Sequence, residues 1–195
     1  IARNMDDINV IRPTLQWPIS NLWIGVSVED QATADERIPL LLQTPAAVRW
    51  VSAEPLLGPI DLRAATYGTG CERPSPTIQA RQLANPVAAL DWVVAGGESG
   101  PKARPSHPDW FRSLRDQCQA AGVPFFLKQW GEWARVSMYE MGGYYMDDQY
   151  RVHKLRDDKV CPHVVNLGHK ARMGRVGKKA AGRVLDGRTW DEYPE

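Results

Sequence analysis

Four short apolar stretches of the chain each end abruptly in polar residues. The clearest is Leu90 to Gly100, where the apolar run 92–95 stops at two glycines and is followed by Glu98 and Ser99. The same plan recurs in residues 21–30, 48–55 and 123–130. Runs of this length that are rich in β-branched residues and end at glycine or proline are typical of buried strands. The pattern therefore predicts four strands that are polar only at their carboxyl ends.

Helical patterns separate the predicted strands. Capping-box spacing at Thr33–Glu36 starts the first helical segment, and Pro39 predicts a short turn followed by a second helical start. The clearest helix begins at Ser106 or His107 and is stopped by Gly122. Strand, helix and strand in close succession predict parallel βα units. Since four strands cannot close a barrel of eight, we expect an α/β fold in which they form a half TIM-barrel-like sheet or an open sheet.

The remaining segments suggest how the chain is divided. Residues 1–20 are expected to be a linker or the end of a preceding element, and this irregular start resembles the middle of a longer protein. Residues 21–133 would form the βα half-barrel. Residues 134–195 would add a small C-terminal β-hairpin insertion and a basic helical tail that packs on the barrel.

Composition narrows the class of protein. A net charge of +1 with 24% charged residues is typical of a soluble globular protein and does not indicate a polyanionic partner. No apolar run approaches the roughly 20 residues of a membrane helix, so no membrane partner is expected. Cys71, Cys118 and Cys161 lie far apart, which favours a reducing cytoplasm over a disulfide framework and predicts no metal site. Cys118 is expected to be a core thiol.

Three carboxylates follow three of the predicted strands. Glu29, Glu54 and Glu98 each lie just beyond a strand, and the carboxyl ends of parallel strands meet at one edge of a sheet. We call the surface formed by the strand ends the mouth. Clustered carboxylates can bind a divalent metal, orient a ribose, or raise one another's pKa for acid–base chemistry. Alternatively, each glutamate caps the following helix or pairs with an arginine.

Other residues of the predicted mouth could contact a ligand. Gly96 and Gly97 allow close approach to the backbone, where exposed amides can hold a carboxylate or phosphate, although a tight turn also explains them. Lys128 interrupts an apolar run and is a candidate for contact with phosphate or carboxylate, for a general base, or for pairing with a neighbouring glutamate. Gln129 and Trp130 could line the same mouth, with Trp130 stacking on a ligand.

A basic stretch lies near the C-terminus. Residues 166–183 contain six basic residues and no acidic one: Lys170, Arg172, Arg175, Lys178, Lys179 and Arg183. Such a stretch can contact nucleic-acid phosphates, but a solvated helix face would have the same composition.

Several longer segments resemble a known family. The segments WIGVSVEDQATADERIPLLLQTPA, VRWVSAEPLLGPIDL, LDWVVAGGESGPKARPSHPDW, GVPFFLKQWGEW and GKKAAGRVLDGRTWDEYP resemble the C-terminal half of the phage Gp37/Gp68 family, DUF5131-type phage and prophage proteins. The resemblance covers most of residues 20–133 and 175–194. It implies a TIM-barrel-like fold similar to radical S-adenosylmethionine enzymes.

The resemblance also implies a cofactor that this chain alone would not hold. The first half of the family is expected to carry a closely spaced cysteine cluster, so S-adenosylmethionine and an iron–sulfur cluster are expected only if an N-terminal half is present. The strand ends would then contact the cofactor or the substrate. The candidate catalytic residues are Glu54, Glu98 and Lys128. The candidate cofactor-binding residues are Ser27, Glu29, Ser52, Gly96, Gly97 and Ser99. The candidate substrate or nucleic-acid residues are Gln129, Trp130, Lys170, Arg172, Arg175, Lys178 and Lys179.

Three functional hypotheses follow. The leading one is the C-terminal part of a phage-associated, radical-S-adenosylmethionine-like barrel enzyme that modifies nucleic acid or a nucleotide-derived substrate. Its partner would be a missing N-terminal half or a second copy that completes the barrel. The second is a metal-dependent hydrolase or nuclease that uses Glu29, Glu54 and Glu98. The third is a non-catalytic phage accessory module that binds a host protein or DNA.

Overall fold

A four-stranded parallel sheet forms the centre of the molecule. The computed structural model describes residues 19–66, 81, 85–136, 144–146, 152–154, 164–167 and 171–195. The strands are β1 (Trp23–Ser27), β2 (Val48–Ala53), β3 (Trp92–Gly96) and β4 (Phe125–Gln129), hydrogen-bonded in that order. All three neighbouring pairs are parallel. The mixed α/β class and the four predicted strands are thus confirmed, whereas closure into part of a barrel stays a prediction.

The first helix differs from its prediction. Helix α1 (Gln31–Gln43) is continuous and contains Pro39, so the predicted second start at that residue is wrong. Its N-cap is Asp30, whose side chain accepts from the Thr33 amide at 2.9 Å, while the Thr33 hydroxyl accepts from the Asp30 amide. Proline removes one helical hydrogen bond. The buried face of Ile38, Leu41 and Leu42 holds the helix on the sheet across this gap.

The helix before β4 has the predicted ends. A short α2 (Leu62–Thr66) and a 3₁₀-helix (Pro86–Ala89) precede β3, and α3 (Pro108–Ala121) follows it. The His107 ring nitrogen Nδ1 accepts from the Asp109 amide at 3.1 Å and caps α3. Gly122 ends the helix in the left-handed conformation at φ 65°, which glycine adopts without strain. Both signals are local in sequence, and the structure confirms both.

The two faces of the sheet differ in chemistry. Alternate residues such as Val51, Val93 and Leu127 are fully buried in the core formed with the helices. The residues between them face the other way and include Trp50 and Trp92, which are half-buried. Since side chains alternate along a strand, one face of the sheet makes the core and the other carries an aromatic cluster.

Small antiparallel sheets make up the C-terminal part. Its elements are β5 (Trp133–Arg135), β6 (Tyr144–Met146), β7 (Val152–Lys154), β8 (Val164–Asn166), β9 (Arg172–Arg175), α4 (Lys178–Ala181), β10 (Val184–Leu185) and β11 (Arg188–Thr189). They pair as β5-β9-β8, β6-β7 and β10-β11. The basic stretch is therefore not one helical tail. Within it, β9 pairs with β5 on one side and β8 on the other, and Gly177 and Gly182 bound the four-residue α4.

The last residues cover one edge of the parallel sheet. The Leu127 amide donates to the Trp190 carbonyl at 3.0 Å, and the Glu192 amide donates to the Phe125 carbonyl at 3.3 Å. Residues 190–192 thus lie antiparallel along the outer edge of β4. At the opposite edge, Arg37 donates to the Ser27 carbonyl at 2.7 Å. Within the described ranges, no helix is long and apolar enough to cross a membrane.

Candidate functional site

The turn after β2 joins the ends of three strands. The Leu56 amide donates to the Gly96 carbonyl at 2.9 Å, and the Leu57 amide donates to the Glu29 carbonyl at 2.7 Å. Glu54 begins this turn. The three predicted glutamates therefore lie at the same carboxyl-terminal edge of the sheet, at the mouth.

Glu54 is held by two side chains from β4. Its Oε2 accepts from Lys128 Nζ at 2.9 Å, and its Oε1 accepts from Gln129 Nε2 at 2.8 Å. The carboxylate lies over Gly96, where a Cβ would come within 2.9 Å of Oε1. The Glu54 side chain is 18% exposed and that of Lys128 is 55% exposed. Lys128 thus pairs with a neighbouring glutamate and still reaches solvent, so the pair offers a fixed acceptor beside an accessible cation.

Glu98 is clamped by an arginine that sequence reasoning missed. Its carboxylate accepts from the Arg104 amide at 2.6 Å and from Arg104 Nε and Nη2, both at 2.9 Å. These hydrogen bonds lower the pKa of Glu98, against the opposing effect of burial. A carboxylate stabilised in its charged form is a poor general acid. The structure therefore realises the alternative in which Glu98 pairs with an arginine.

The loop after β3 is anchored at several points. Arg175 Nη2 donates to the Gly100 carbonyl at 2.7 Å, and Trp133 Nε1 donates to the Ala103 carbonyl at 2.8 Å. Ser99 is exposed on this loop, beside an open groove of about 410 Å³ lined by residues 98–103. Arg175, predicted to bind nucleic acid, thus supports the loop.

Gly96 and Gly97 allow neighbouring groups at this edge of the sheet to pack closely against the backbone of β3 and the residue after it. The Gly97 amide donates to the Gln129 carbonyl at 2.9 Å, and a Cβ on Gly97 would lie 2.0 Å from the Trp130 carbonyl oxygen. The prediction that the Gly97 amide holds a ligand is therefore wrong, because its hydrogen bond is already made. Gly96 leaves room for the Glu54 carboxylate and does not itself line a ligand cradle.

Trp130 lies in the core and does not line the mouth. Its indole Nε1 donates to the Val184 carbonyl at 2.7 Å, and its ring packs edge-on against Phe111 with centroids 4.8 Å apart. The side chain is only 7% exposed. The predicted stacking of Trp130 on a ligand is therefore wrong, whereas Gln129 faces Glu54.

Three polar side chains near the mouth have no hydrogen-bond partner among the described residues. The side chain of Glu29 is half-buried and accepts no hydrogen bond from the described residues. Its charge helps raise the pKa of Arg104, after the larger contribution from the hydrogen bond to Glu98. The hydroxyls of Ser27 and Ser52 likewise make no hydrogen bond to the part of the chain that the structure describes. These groups remain able to contact a ligand.

The predicted basic contacts are not gathered on one element. Arg172 is exposed on β9, and Lys178 and Lys179 are exposed on α4. Arg183 pairs with Asp191 and lies 5.0 Å above the Phe126 ring. Lys170 lies outside the described residues. Nucleic-acid binding by this stretch stays a prediction.

Metal ligands are not clustered at the mouth. Across the described ranges, no three His, Cys, Asp or Glu side chains are grouped to hold a metal ion. Cys118 is buried in α3, and burial raises the pKa of its thiol, which disfavours the thiolate that ligates metals. The described residues therefore do not fit an iron–sulfur cluster. Cys71 and Cys161 lie outside the described residues.

The sequence matches the model of one protein family over almost its whole length. The family model described as "Protein of unknown function (DUF5131)" matches residues 2–194. The chain belongs to this family. Membership of the DUF5131 family confirms the coarser part of the resemblance, while the Gp37/Gp68 name and the similarity to radical S-adenosylmethionine enzymes stay predictions. The chain matches no curated protein and no solved structure.

Proposed function

We propose that this DUF5131 chain forms the substrate-holding part of a barrel-type enzyme, and that it acts on a nucleotide-derived small molecule at the mouth. The single observation that carries the proposal is the Glu54–Lys128 pair at adjacent strand ends, with an accessible ammonium 2.9 Å from a fixed carboxylate. In parallel α/β folds, chemistry is positioned at this end of the strands.

The pair suits a substrate that carries hydroxyl or amine donors. Glu54 is oriented by Gln129 and Lys128, so one of its remaining lone pairs can accept a substrate proton donor without reorganisation. Lys128 is exposed enough to contact an anionic or carbonyl oxygen. Glu29 adds a second carboxylate acceptor at the same edge, which favours a hydroxyl-rich ligand.

A small nucleotide-derived substrate is favoured over a nucleic-acid strand. A strand requires a track of cations along its backbone. Near the mouth, Lys128, Arg104 and Arg175 are each bonded to Glu54, Glu98 or the Gly100 carbonyl. Since Glu29, Glu54 and Glu98 match these three cations in charge, the mouth lacks the surplus positive charge that a polyanion would need.

We also propose the type of reaction, which rests on the family resemblance. The resemblance to phage Gp37/Gp68 proteins suggests radical S-adenosylmethionine chemistry, whose cluster the described residues do not fit. An iron–sulfur cluster would supply the electron that starts such chemistry. The residues of this chain would bind and orient the substrate.

The test uses the protein expressed from its whole gene, purified anaerobically and reconstituted with iron and sulfide. We expect bound iron and sulfide and formation of 5′-deoxyadenosine in the presence of S-adenosylmethionine and a cellular nucleotide extract. Glu54→Gln and Lys128→Met should each reduce product formation by about a hundredfold, as expected on removing a group that positions the substrate. Glu36→Gln is the matched control, because Glu36 is 72% exposed and lies on α1.

Two outcomes would contradict the proposal. A protein that binds no iron or sulfide and forms no 5′-deoxyadenosine would exclude the radical chemistry. Equal product formation by Glu54→Gln and the control would exclude the role of the mouth. The metal-dependent hydrolase gains no support here, since two of its three glutamates are held by Lys128 and Arg104.

A further inference from the structure

The aromatic face of the sheet carries an indole that lies flat on the backbone of β1. A Cβ added to Gly25 would lie 2.3 Å from Cε2, 2.6 Å from Nε1 and 2.7 Å from Cδ2 of Trp50. Since three atoms of the fused rings are about equally close to that point, the indole covers Gly25 with its plane roughly parallel to the sheet. The opposite face of the Trp50 ring is turned away from the backbone of β1, and we call this face the platform.

The Trp50 indole N–H, like those of Trp23 and Trp110, is not used in a hydrogen bond within the described part of the chain, whereas four other tryptophans use theirs. Trp92, Trp130, Trp133 and Trp190 each donate their indole N–H to a backbone carbonyl, at 2.8, 2.7, 2.8 and 3.2 Å. Trp50 is half-buried, and its N–H makes no hydrogen bond to the described part of the chain. Among the described residues, the buried side-chain polar atom without a partner is Arg183 Nε, so the Trp50 N–H reaches solvent and is able to donate to a ligand. A flat ring with an accessible N–H at its edge can therefore hold a ligand that supplies both a ring face and an acceptor.

Further groups follow the platform along β2. Trp50, Ser52 and Glu54 occupy alternate positions, so they share one face at steps of about 6.6 Å. Ser27 lies opposite Ser52 in the register of β1 and β2. The surface thus presents an aromatic ring, then two hydroxyls without a partner among the described residues, then a carboxylate oriented by Lys128.

We propose that this face binds a ribonucleoside, with the base stacked on Trp50 and the ribose directed toward Ser27, Ser52 and Glu54. The inference rests on the proposed function and names its substrate class. A planar base matches the ring, and a ribose diol matches hydroxyl and carboxylate partners, which are groups that bind ribose in other nucleotide sites. Because Glu54 balances the charge of Lys128, a ligand whose recognised part is uncharged is favoured. Trp92, with its centroid 5.7 Å from that of Trp50, borders the platform.

The platform can be tested with two substitutions, one of which, Gly25→Ala, removes no aromatic or charged group. Gly25→Ala introduces a methyl group 2.3 Å from the indole and must displace it. Binding of adenosine and uridine to the whole chain would be measured by calorimetry and by quenching of tryptophan fluorescence. We expect Gly25→Ala and Trp50→Ala each to weaken binding about tenfold or more, the range found when a base-stacking ring is removed.

Matched probes and controls separate stacking from sugar recognition. Free ribose should bind at least about tenfold more weakly than adenosine, and 2′,3′-dideoxyadenosine should also bind more weakly. Tyr193→Phe is the control, because Tyr193 is 57% exposed and its ring lies against Trp92 and Phe126. Unfolding midpoints establish that each variant folds. Trp50→Phe, which keeps a ring and loses the N–H, should fall between Trp50→Ala and the unsubstituted protein.

Several results would overturn this inference. They are no binding of either nucleoside, equal binding of ribose and adenosine, or unchanged binding by folded Gly25→Ala and Trp50→Ala. If an oligonucleotide binds far more tightly than the nucleosides, this face binds nucleic acid and the inference is wrong. If nucleoside binding requires Trp50 but the protein forms no 5′-deoxyadenosine, the binding site is supported and the proposed function is contradicted. If product formation requires Glu54 but no nucleoside binds, the proposed function is supported and the nucleoside site is contradicted.

Discussion

The substitution Glu98→Gln decides whether this carboxylate is structural or catalytic. The glutamine keeps the size of the side chain and one carbonyl oxygen, which can still accept from the Arg104 amide. It removes the negative charge and the two-point contact with the guanidinium. If the carboxylate acts as a clamp, the loss falls on the stability of the loop 98–104 and of the fold.

The expected loss can be worked from the contacts. A hydrogen bond to a charged group contributes about 1.5–3 kcal/mol, but the Arg104 side chain is 62% exposed and solvent screens much of its attraction. Retention of one acceptor oxygen reduces the loss further. We therefore expect Glu98→Gln to lower the free energy of unfolding by about 1–2 kcal/mol at neutral pH.

The effect should depend on pH in a defined direction. The pKa of Glu98 is lower in the folded protein than its ordinary value, chiefly because Arg104 hydrogen-bonds the charged form. The stabilisation is therefore complete well above the unfolded pKa of about 4.3, and it is lost as the pH falls through the lowered folded pKa. Urea unfolding followed by tryptophan fluorescence should show the full difference at about pH 7 and a smaller difference at about pH 2.5.

Glu36→Gln serves as the control. Glu36 is 72% exposed and lies 4.0 Å from Arg37, so its replacement should change stability by less than about 0.5 kcal/mol. A loss for Glu98→Gln that stays constant between the two pH values would refute the charge-based clamp. Unchanged stability together with lost product formation would show that Glu98 is catalytic.

Two further predictions concern the core and its thiol. Trp190→Ala should lower the free energy of unfolding by about 3–5 kcal/mol, because the ring is buried against Phe125 and its backbone pairs with β4. Trp23→Ala, at a 47% exposed site, should lower it by about 1 kcal/mol or less. Equal losses in urea unfolding would contradict this prediction. Burial raises the pKa of the Cys118 thiol, so iodoacetamide should label the Cys118 peptide only after the protein unfolds. Mass spectrometry would measure the labelling, and rapid labelling of the folded protein would contradict the prediction.

Much of the local structure was predictable because its signals are local. The four strands follow from short apolar runs that end at glycine, proline or charge, and the ends of α3 follow from His107, Pro108 and Gly122. The continuous α1 was not predictable from Pro39 alone. Its packing against the sheet outweighs the one helical hydrogen bond that proline removes.

The sequence by itself determined that the glutamates follow parallel strands and therefore share one edge of the sheet. Only the tertiary structure decided their partners: Lys128 holds Glu54, and Arg104 holds Glu98. It also placed Trp130 in the core and laid Trp50 flat over Gly25. The physical reason is that strand periodicity sets which residues share a face, whereas the neighbour of each side chain depends on elements that lie far apart in the chain and meet only when it folds.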